Sequence, residues 1–120
     1  MLNLDTHIVV AILNGELRPA EQNVIAAEPL AISDIVLWEL AKLVEFGRLD
    51  LDLDDVELRA FLRHSIIFPI TLEIAHKSTE LDFQSDPADE IIAATSIIEK
   101  IPLVTRDSRI LKSRMVPFAR

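Results

Sequence analysis

The sequence predicts an α/β fold, a three-layer α/β/α domain around a short, mostly parallel central sheet of about four or five strands. Three observations predict it. Leu2-Asn3-Leu4, Leu30-Ala31-Ile32, Ile66-Ile67-Phe68 and Leu103-Val104-Thr105 are short apolar runs of the kind that form buried strands. Helical segments separate these runs in regular alternation, and strands joined through helices pair in parallel. The chain has 120 residues, half of them apolar and only two of them glycine, which suits one compact core.

Taken in order, the first strand ends in Asp5, and Thr6 to Leu13 reads as a helix stopped by Asn14-Gly15. Pro19 opens a second helix running to about Ala27, with Ala20, Val24 and Ile25 on its apolar side. After the second strand Ser33 caps a third helix, Asp34 to Phe46, and Gly47 is placed to end it. Leu49 to Asp55 alternates leucine with aspartate. Asp54 with Glu57 forms a capping-box pattern that starts a helix to about Arg63. The third strand and a helix over Thr71–Thr79 follow. Asp86 then caps a long helix with Pro87 at its first position, and Ile91 to Ile98 leaves that helix almost no polar face. Pro102 follows its end and the fourth strand begins. Ser108 to Lys112 is a short helical turn, and Val116-Pro117-Phe118 reads as a last strand, confined to an edge by its proline.

Composition excludes several classes of function. Twelve basic against twenty acidic residues give a formal charge of −8, which argues against holding nucleic acid on a broad basic surface. It does not exclude a nucleic-acid enzyme whose own acids are masked by metal. The absence of cysteine removes disulfides, thiolate metal sites and a cysteine nucleophile, and fits a reducing, cytoplasmic setting. Met1 leads straight into the first strand without a basic n-region or cleavage site, so no secretory signal is expected. The longest apolar runs are far too short to cross a bilayer. A single domain over residues 1–120 is expected.

Four acids stand at related places. Asp5 directly follows a strand, and Asp107 arrives just past another. Asp89 lies in a first helical turn. Glu39 sits inside Ile35-Val36-Leu37-Trp38-Glu39-Leu40-Ala41, where a charge is costly unless paired or bound to metal. Singly, each has a structural explanation: Asp5 as a cap, Asp89 as a complement to the helix dipole, Glu39 as a partner of Lys42. Together they weigh differently, because parallel strands deliver their C-terminal ends to one edge, where open α/β sheets place their chemistry. Carboxylates converging there within a few ångströms repel one another unless a cation sits among them. Oxygen-only ligands suit a hard ion such as Mg²⁺ or Mn²⁺, and such an ion suits phosphodiester hydrolysis.

The motifs L-N-L-D-T-H at 2–7, S-D-I-V-L-W-E-L-A-K at 33–42, D-P-A-D-E-I-I-A-A-T at 86–95 and L-V-T-R-D at 103–107 resemble the PIN-domain ribonucleases, and most closely the VapC toxins of type II toxin–antitoxin modules. The resemblance covers essentially the whole chain, in order. It implies a PIN-like α/β/α domain that cuts RNA by a metal-activated water with Mg²⁺ or Mn²⁺, leaving a 5′-phosphate and a 3′-hydroxyl. On the family pattern Asp5, Glu39, Asp89 and Asp107 match the acidic quartet, both as metal ligands and as catalytic residues. Asp86 matches a frequent extra acid, Thr105 a hydroxyl beside the metal, and Thr6 and Ser33 supporting hydroxyls. Glu90 stands where the family usually has arginine. Lys42, Arg106 and Arg109, with Arg48, Lys112 and Arg114, are candidates for the RNA backbone. The family likeness further implies a homodimer and a VapB-like antitoxin partner whose C-terminal segment lies across the acidic groove.

Competing readings have less support. A receiver-like phosphoacceptor module needs an acidic pair after its first strand and a lysine after its last core strand, but Thr6 follows Asp5, and Arg106-Asp107 follow Thr105. A catalytically inactive PIN-like binding domain sits poorly with four intact acids. Asp50-x-Asp52-x-Asp54 opens like a calcium loop, yet Asp55 stands where that loop needs glycine and Phe61 where it needs glutamate. His7, His64 and His76 lack ligand spacing; His7 lies close to Asp5, where it could touch substrate, but reads rather as a helix-surface residue. Trp38 and Phe46 read as core or dimer contacts.

Overall fold

The computed structural model describes residues 1–119. In chain order it contains β1 (Leu2–Leu4), α1 (Thr6–Asn14), α2 (Pro19–Ile25), β2 (Leu30–Ser33), α3 (Ile35–Glu45), α4 (Val56–His64), β3 (Ile66–Phe68), α5 (Leu72–Lys77), α6 (Pro87–Glu99), β4 (Leu103–Val104) and α7 (Ser108–Leu111). The sheet runs β3-β2-β1-β4 and every pairing is parallel, with Leu2 opposite Leu30, Ile32 opposite Ile67 and Leu4 opposite Val104. All four strands therefore finish on one edge. The chain leaves that edge at Asp5, Asp34, Pro69 and Thr105.

The expected α/β architecture is thus present, and local chemistry explains its elements. Asp5 caps α1 by accepting from the Thr6 N–H. Gly15, at φ 69°, ends that helix in the left-handed region, where a Cβ would be strained, and its N–H returns to the carbonyls of Ala11 and Ile12. The central helix is α6, whose Ala88, Ile92, Ala93, Ala94, Thr95 and Ser96 are all buried against a surround that includes β2, α3 and α5. Its anchor to the sheet is polar. The buried Asn3 of β1 donates through Nδ2 to the Ile92 carbonyl (3.1 Å) and to Ser96 Oγ (2.9 Å). Leu4, Ile8, Ile32, Val36, Leu40 and Ile92 fill the core around this seam. Each such side chain contributes roughly 1.5–3 kcal/mol by leaving water.

Three details differ from expectation. Val116-Pro117-Phe118 does not form a strand; Phe118 makes a single parallel bridge to Leu103, because Pro117 has no N–H to extend a ladder. The helix expected to start at Asp54 is capped by Asp55, which accepts from the Leu58 N–H at 3.0 Å, while Asp54 pairs with Arg59. β3 is an edge strand whose Ile66 and Ile67 remain exposed, so its apolar run marks open surface as well as core.

Candidate active site

Asp5 is the most deeply placed of the four acids, with 1% of its surface exposed. Its carboxylate is held by donors on both oxygens: the Thr6 N–H reaches Oδ1 (2.8 Å) and Thr105 Oγ1 donates to Oδ2 (2.7 Å). Asp107 follows β4 and caps α7, with Oδ1 accepting from the N–H groups of Arg109 (2.8 Å) and Ile110 (3.2 Å). Its own N–H donates to Thr105 Oγ1 at 3.1 Å, so one threonine serves both strand-end acids. Glu39 projects from α3 and accepts from Thr6 Oγ1. Asp89, in the first turn of α6, accepts from Ser85 Oγ at 2.9 Å.

These acids feel one another. Glu39 is pushed above the usual carboxylate range, first by burial and then by the charges of Asp89, Asp5 and Asp86, with the Thr6 hydroxyl opposing the shift. Asp89 is pushed up by burial, then by Asp5, and further by Asp107 and Asp86. Mutual electrostatic reach links all four acids and Asp86. They do not stand at ligand spacing, however: among the described residues no three His, Asp or Glu side chains are drawn close enough to hold an ion as they are. Each carboxylate accepts from its own hydroxyl or peptide donor: Asp5 from Thr105 and the Thr6 N–H, Glu39 from Thr6, Asp89 from Ser85, and Asp107 from the first turn of α7. The donor set nonetheless fits a hard divalent cation, being all oxygen, partly buried and strained by like charge.

Asp86 is exposed and precedes α6, but its side chain makes no capping bond, contrary to expectation; its contribution is charge. Glu90 reaches back to accept from the Ser85 N–H at 3.3 Å. Thr6 and Thr105 both touch acids, whereas Ser33 is turned to the Ile35 N–H and opens α3. Lys42 pairs with Glu45 at 3.0 Å rather than with Glu39, and its Nζ lies 6.0 and 5.8 Å from the ring centres of Trp38 and Phe46. Those rings are 55% and 68% exposed, so neither belongs to the core. Arg109 lies 3.7 Å from Asp107 Oδ2. Arg106 is committed elsewhere: its guanidinium grips both oxygens of Glu21 on α2 at 2.7 Å and also reaches the Glu16 carbonyl. That pairing holds the Glu21 carboxyl down at about 2.

The sequence showed neither the role of Glu21 nor the bond made by His7. Glu21 carried no local signal, since its partner lies 85 residues away. His7 is not merely a surface residue of α1: its Nε2 accepts from the Arg106 N–H at 2.8 Å. Beside the acids lies an apolar groove of about 420 Å³, lined by Asp34, Ile35, Trp38, Ile70, Pro87, Ala88 and Ile91.

Comparison with known proteins bears on this arrangement. The PIN domain family profile matches residues 3–114. Ribonuclease VapC22 of Mycobacterium tuberculosis is 35% identical over 98 residues, covering 79% of this chain and 75% of that protein. Among solved structures, a toxin–antitoxin complex from Klebsiella pneumoniae superposes with a TM-score of 0.70 at 22% identity, covering 93% of this chain and 91% of that one. VapBC2 from Rickettsia felis, bound to a promoter DNA fragment, does so with a TM-score of 0.71 at 21% identity, covering 98% and 97%. The structural likenesses carry the fold, the profile and the VapC22 identity carry the kinship, and on these grounds the chain belongs to the PIN-domain family and to its VapC group.

Proposed function

We propose that this protein is a metal-dependent endoribonuclease and the toxin of a VapBC-type toxin–antitoxin module. The observation that supports this best is the mutual charge coupling of Asp5, Glu39, Asp89 and Asp107, in a relative of a VapC ribonuclease. These four carboxylates would hold the ion, Mg²⁺ or Mn²⁺. When bound, it supplies Lewis acidity to the phosphodiester and lowers the pKa of water.

The chain's own residues prepare for that. Thr105 and the Thr6 N–H fix the Asp5 carboxylate, Thr6 Oγ1 orients Glu39, Ser85 orients Asp89, and the first turn of α7 orients Asp107. Every acid keeps lone pairs free for a cation. Burial of Asp5 excludes bulk water from one side of the site. In the reaction a water oxygen bonds to phosphorus as the P–O3′ bond breaks, giving a 5′-phosphate and a 3′-hydroxyl.

RNA is the substrate and a VapB-like antitoxin the controlling partner, in the cytoplasm. The groove along Ile35, Trp38, Ile70 and Ile91 suits the apolar side chains of an antitoxin segment passing the acids. Exposed Trp38 and Phe46 suit a homodimer. Lys42 and Arg109, with Arg48, Lys112 and Arg114, are the basic side chains offered to the RNA backbone. The test is cleavage of RNA by purified protein with Mg²⁺ or Mn²⁺, its loss in Asp5→Ala and Asp107→Ala, and relief of growth arrest by the same changes. Cleavage persisting in excess EDTA would overturn the reading.

A further inference from the structure

We propose, on the basis of the nuclease reading above, that His7 is a positioning residue that holds the Thr105–Asp107 turn against the corner carrying Asp5. A backbone amide can only donate, so the 2.8 Å bond from the Arg106 N–H requires a lone pair on His7 Nε2. In the neutral ring the proton is then on Nδ1, which lies 3.6 Å from Asp5 Oδ2. One imidazole therefore accepts from the peptide just before Asp107 at one nitrogen and faces the carboxylate after β1, beyond direct hydrogen-bond length, with the other. His7 and the peptide it accepts from are 99 positions apart.

The turn it holds is short and otherwise pinned through side chains. Thr105 Oγ1 donates to Asp5 and accepts from the Asp107 N–H. The Arg106 guanidinium is fastened to Glu21. His7 is the anchor for the Arg106 main chain, and the direction of that peptide determines where the next residue's carboxylate points. Groups that orient metal ligands in this indirect way typically account for ~10–100-fold in metal affinity or activity. His7 is partly exposed on the first turn of α1 and adds little to the core, so its loss leaves the fold standing.

The test compares His7→Phe, which keeps a flat ring without the acceptor, with His7→Gln, whose amide oxygen can accept. In His7→Phe, hydrogen exchange at the Arg106 and Asp107 amides accelerates about tenfold while core amides such as Ile32 stay protected. Mn²⁺ affinity measured by calorimetry falls about tenfold. The Mg²⁺ concentration for half-maximal cleavage rises in step, with the rate at saturating metal within about twofold of wild type. His7→Gln recovers most of each change, and ring ¹⁵N shifts of the wild-type protein report the Nδ1–H tautomer. Unchanged exchange and Mn²⁺ affinity in His7→Phe would overturn the proposal. So would a rate loss at saturating metal with unchanged affinity, which would place the ring on the RNA instead. Wild-type protein that binds Mn²⁺ but cuts no RNA would sink the nuclease reading, while exchange and calorimetry would still decide the role of His7.

Discussion

Thr105 Oγ1 donates to Asp5 Oδ2 at 2.7 Å and at the same time accepts from the Asp107 N–H at 3.1 Å, so a single hydroxyl couples the acids at two adjacent strand ends. Replacing it with valine keeps the shape but leaves a buried carboxylate oxygen and a peptide N–H each short of a partner. Thr105→Val is expected to lower stability by about 1–3 kcal/mol and to weaken metal-dependent cleavage ~10–100-fold. Thr105→Ser, which retains the hydroxyl, is expected to recover most of both. Urea denaturation and metal titration of RNA cleavage check this directly.

The raised acids predict a conflict between stability and activity. Glu39 and Asp89 bind protons more tightly folded than unfolded, because burial and neighbouring charge oppose ionisation. The stability they contribute is therefore fully present below their unfolded values and is lost as pH rises through the folded ones. In EDTA, wild-type melting temperature should fall as pH rises through that window. Glu39→Gln or Asp89→Asn should flatten the fall and gain about 0.5–2 kcal/mol at neutral pH. Both should abolish cleavage. Added Mg²⁺ should stabilise wild type more at pH 8 than at pH 5, since it competes with protons for the same oxygens. A variant no more stable than wild type in EDTA at pH 8 would count against like-charge strain in the cluster.

Much of this was legible in the sequence, and the exceptions have physical causes. Strand ends and helix starts are local chemistry, so Asp5 and Asp107 could be read at strand ends and Asp89 in a first helical turn, whereas grouping the mid-helix Glu39 with them rested on the family resemblance. In the fold the charges of Asp5 and Asp86 reach both Glu39 and Asp89, and that of Asp107 reaches Asp89. What the sequence did not show is the donor each carboxylate takes, since Thr105 lies 100 residues from Asp5 and Thr6 33 residues from Glu39. The choice between Asp54 and Asp55 as cap turned on which carboxylate meets the Leu58 N–H, a one-residue difference that a pattern of acids cannot resolve. The roles of His7 and Glu21 depend on partners at residue 106, and no window of neighbouring residues contains both ends.

The pair between Arg106 and Glu21 makes a prediction at low pH. Glu21 falls from an ordinary 4.5 to about 2, chiefly because the Arg106 guanidinium donates to it. A depressed carboxyl contributes stability above its unfolded value and loses it as pH falls through the folded one. Wild type and Glu21→Gln should therefore differ by a constant amount, about 1 kcal/mol for a partly exposed bidentate pair, at any pH above 4.5. The difference should shrink between 4.5 and 2 and vanish below that. Chemical denaturation at a series of pH values checks the shape, and a gap that persists below pH 2 would assign the effect to packing instead of charge.

On α3, Trp38, Lys42 and Phe46 stand one helical turn apart in succession, with the lysine ammonium about equally far from both rings. Rings 55% and 68% exposed add little to the fold of one subunit, so Trp38→Ser and Phe46→Ser should change the unfolding free energy of the monomer by within about 0.5 kcal/mol. Their apolar area has value only against another surface. If that surface is a second copy of the chain, the double variant should sediment as a monomer at concentrations where wild type is dimeric, with its metal-binding affinity intact because Glu39 projects toward the acids and not toward this ridge. A double variant that remains a dimer would move the subunit contact to other exposed apolar side chains, among them Ile66 and Ile67 of β3, Val56 and Leu72.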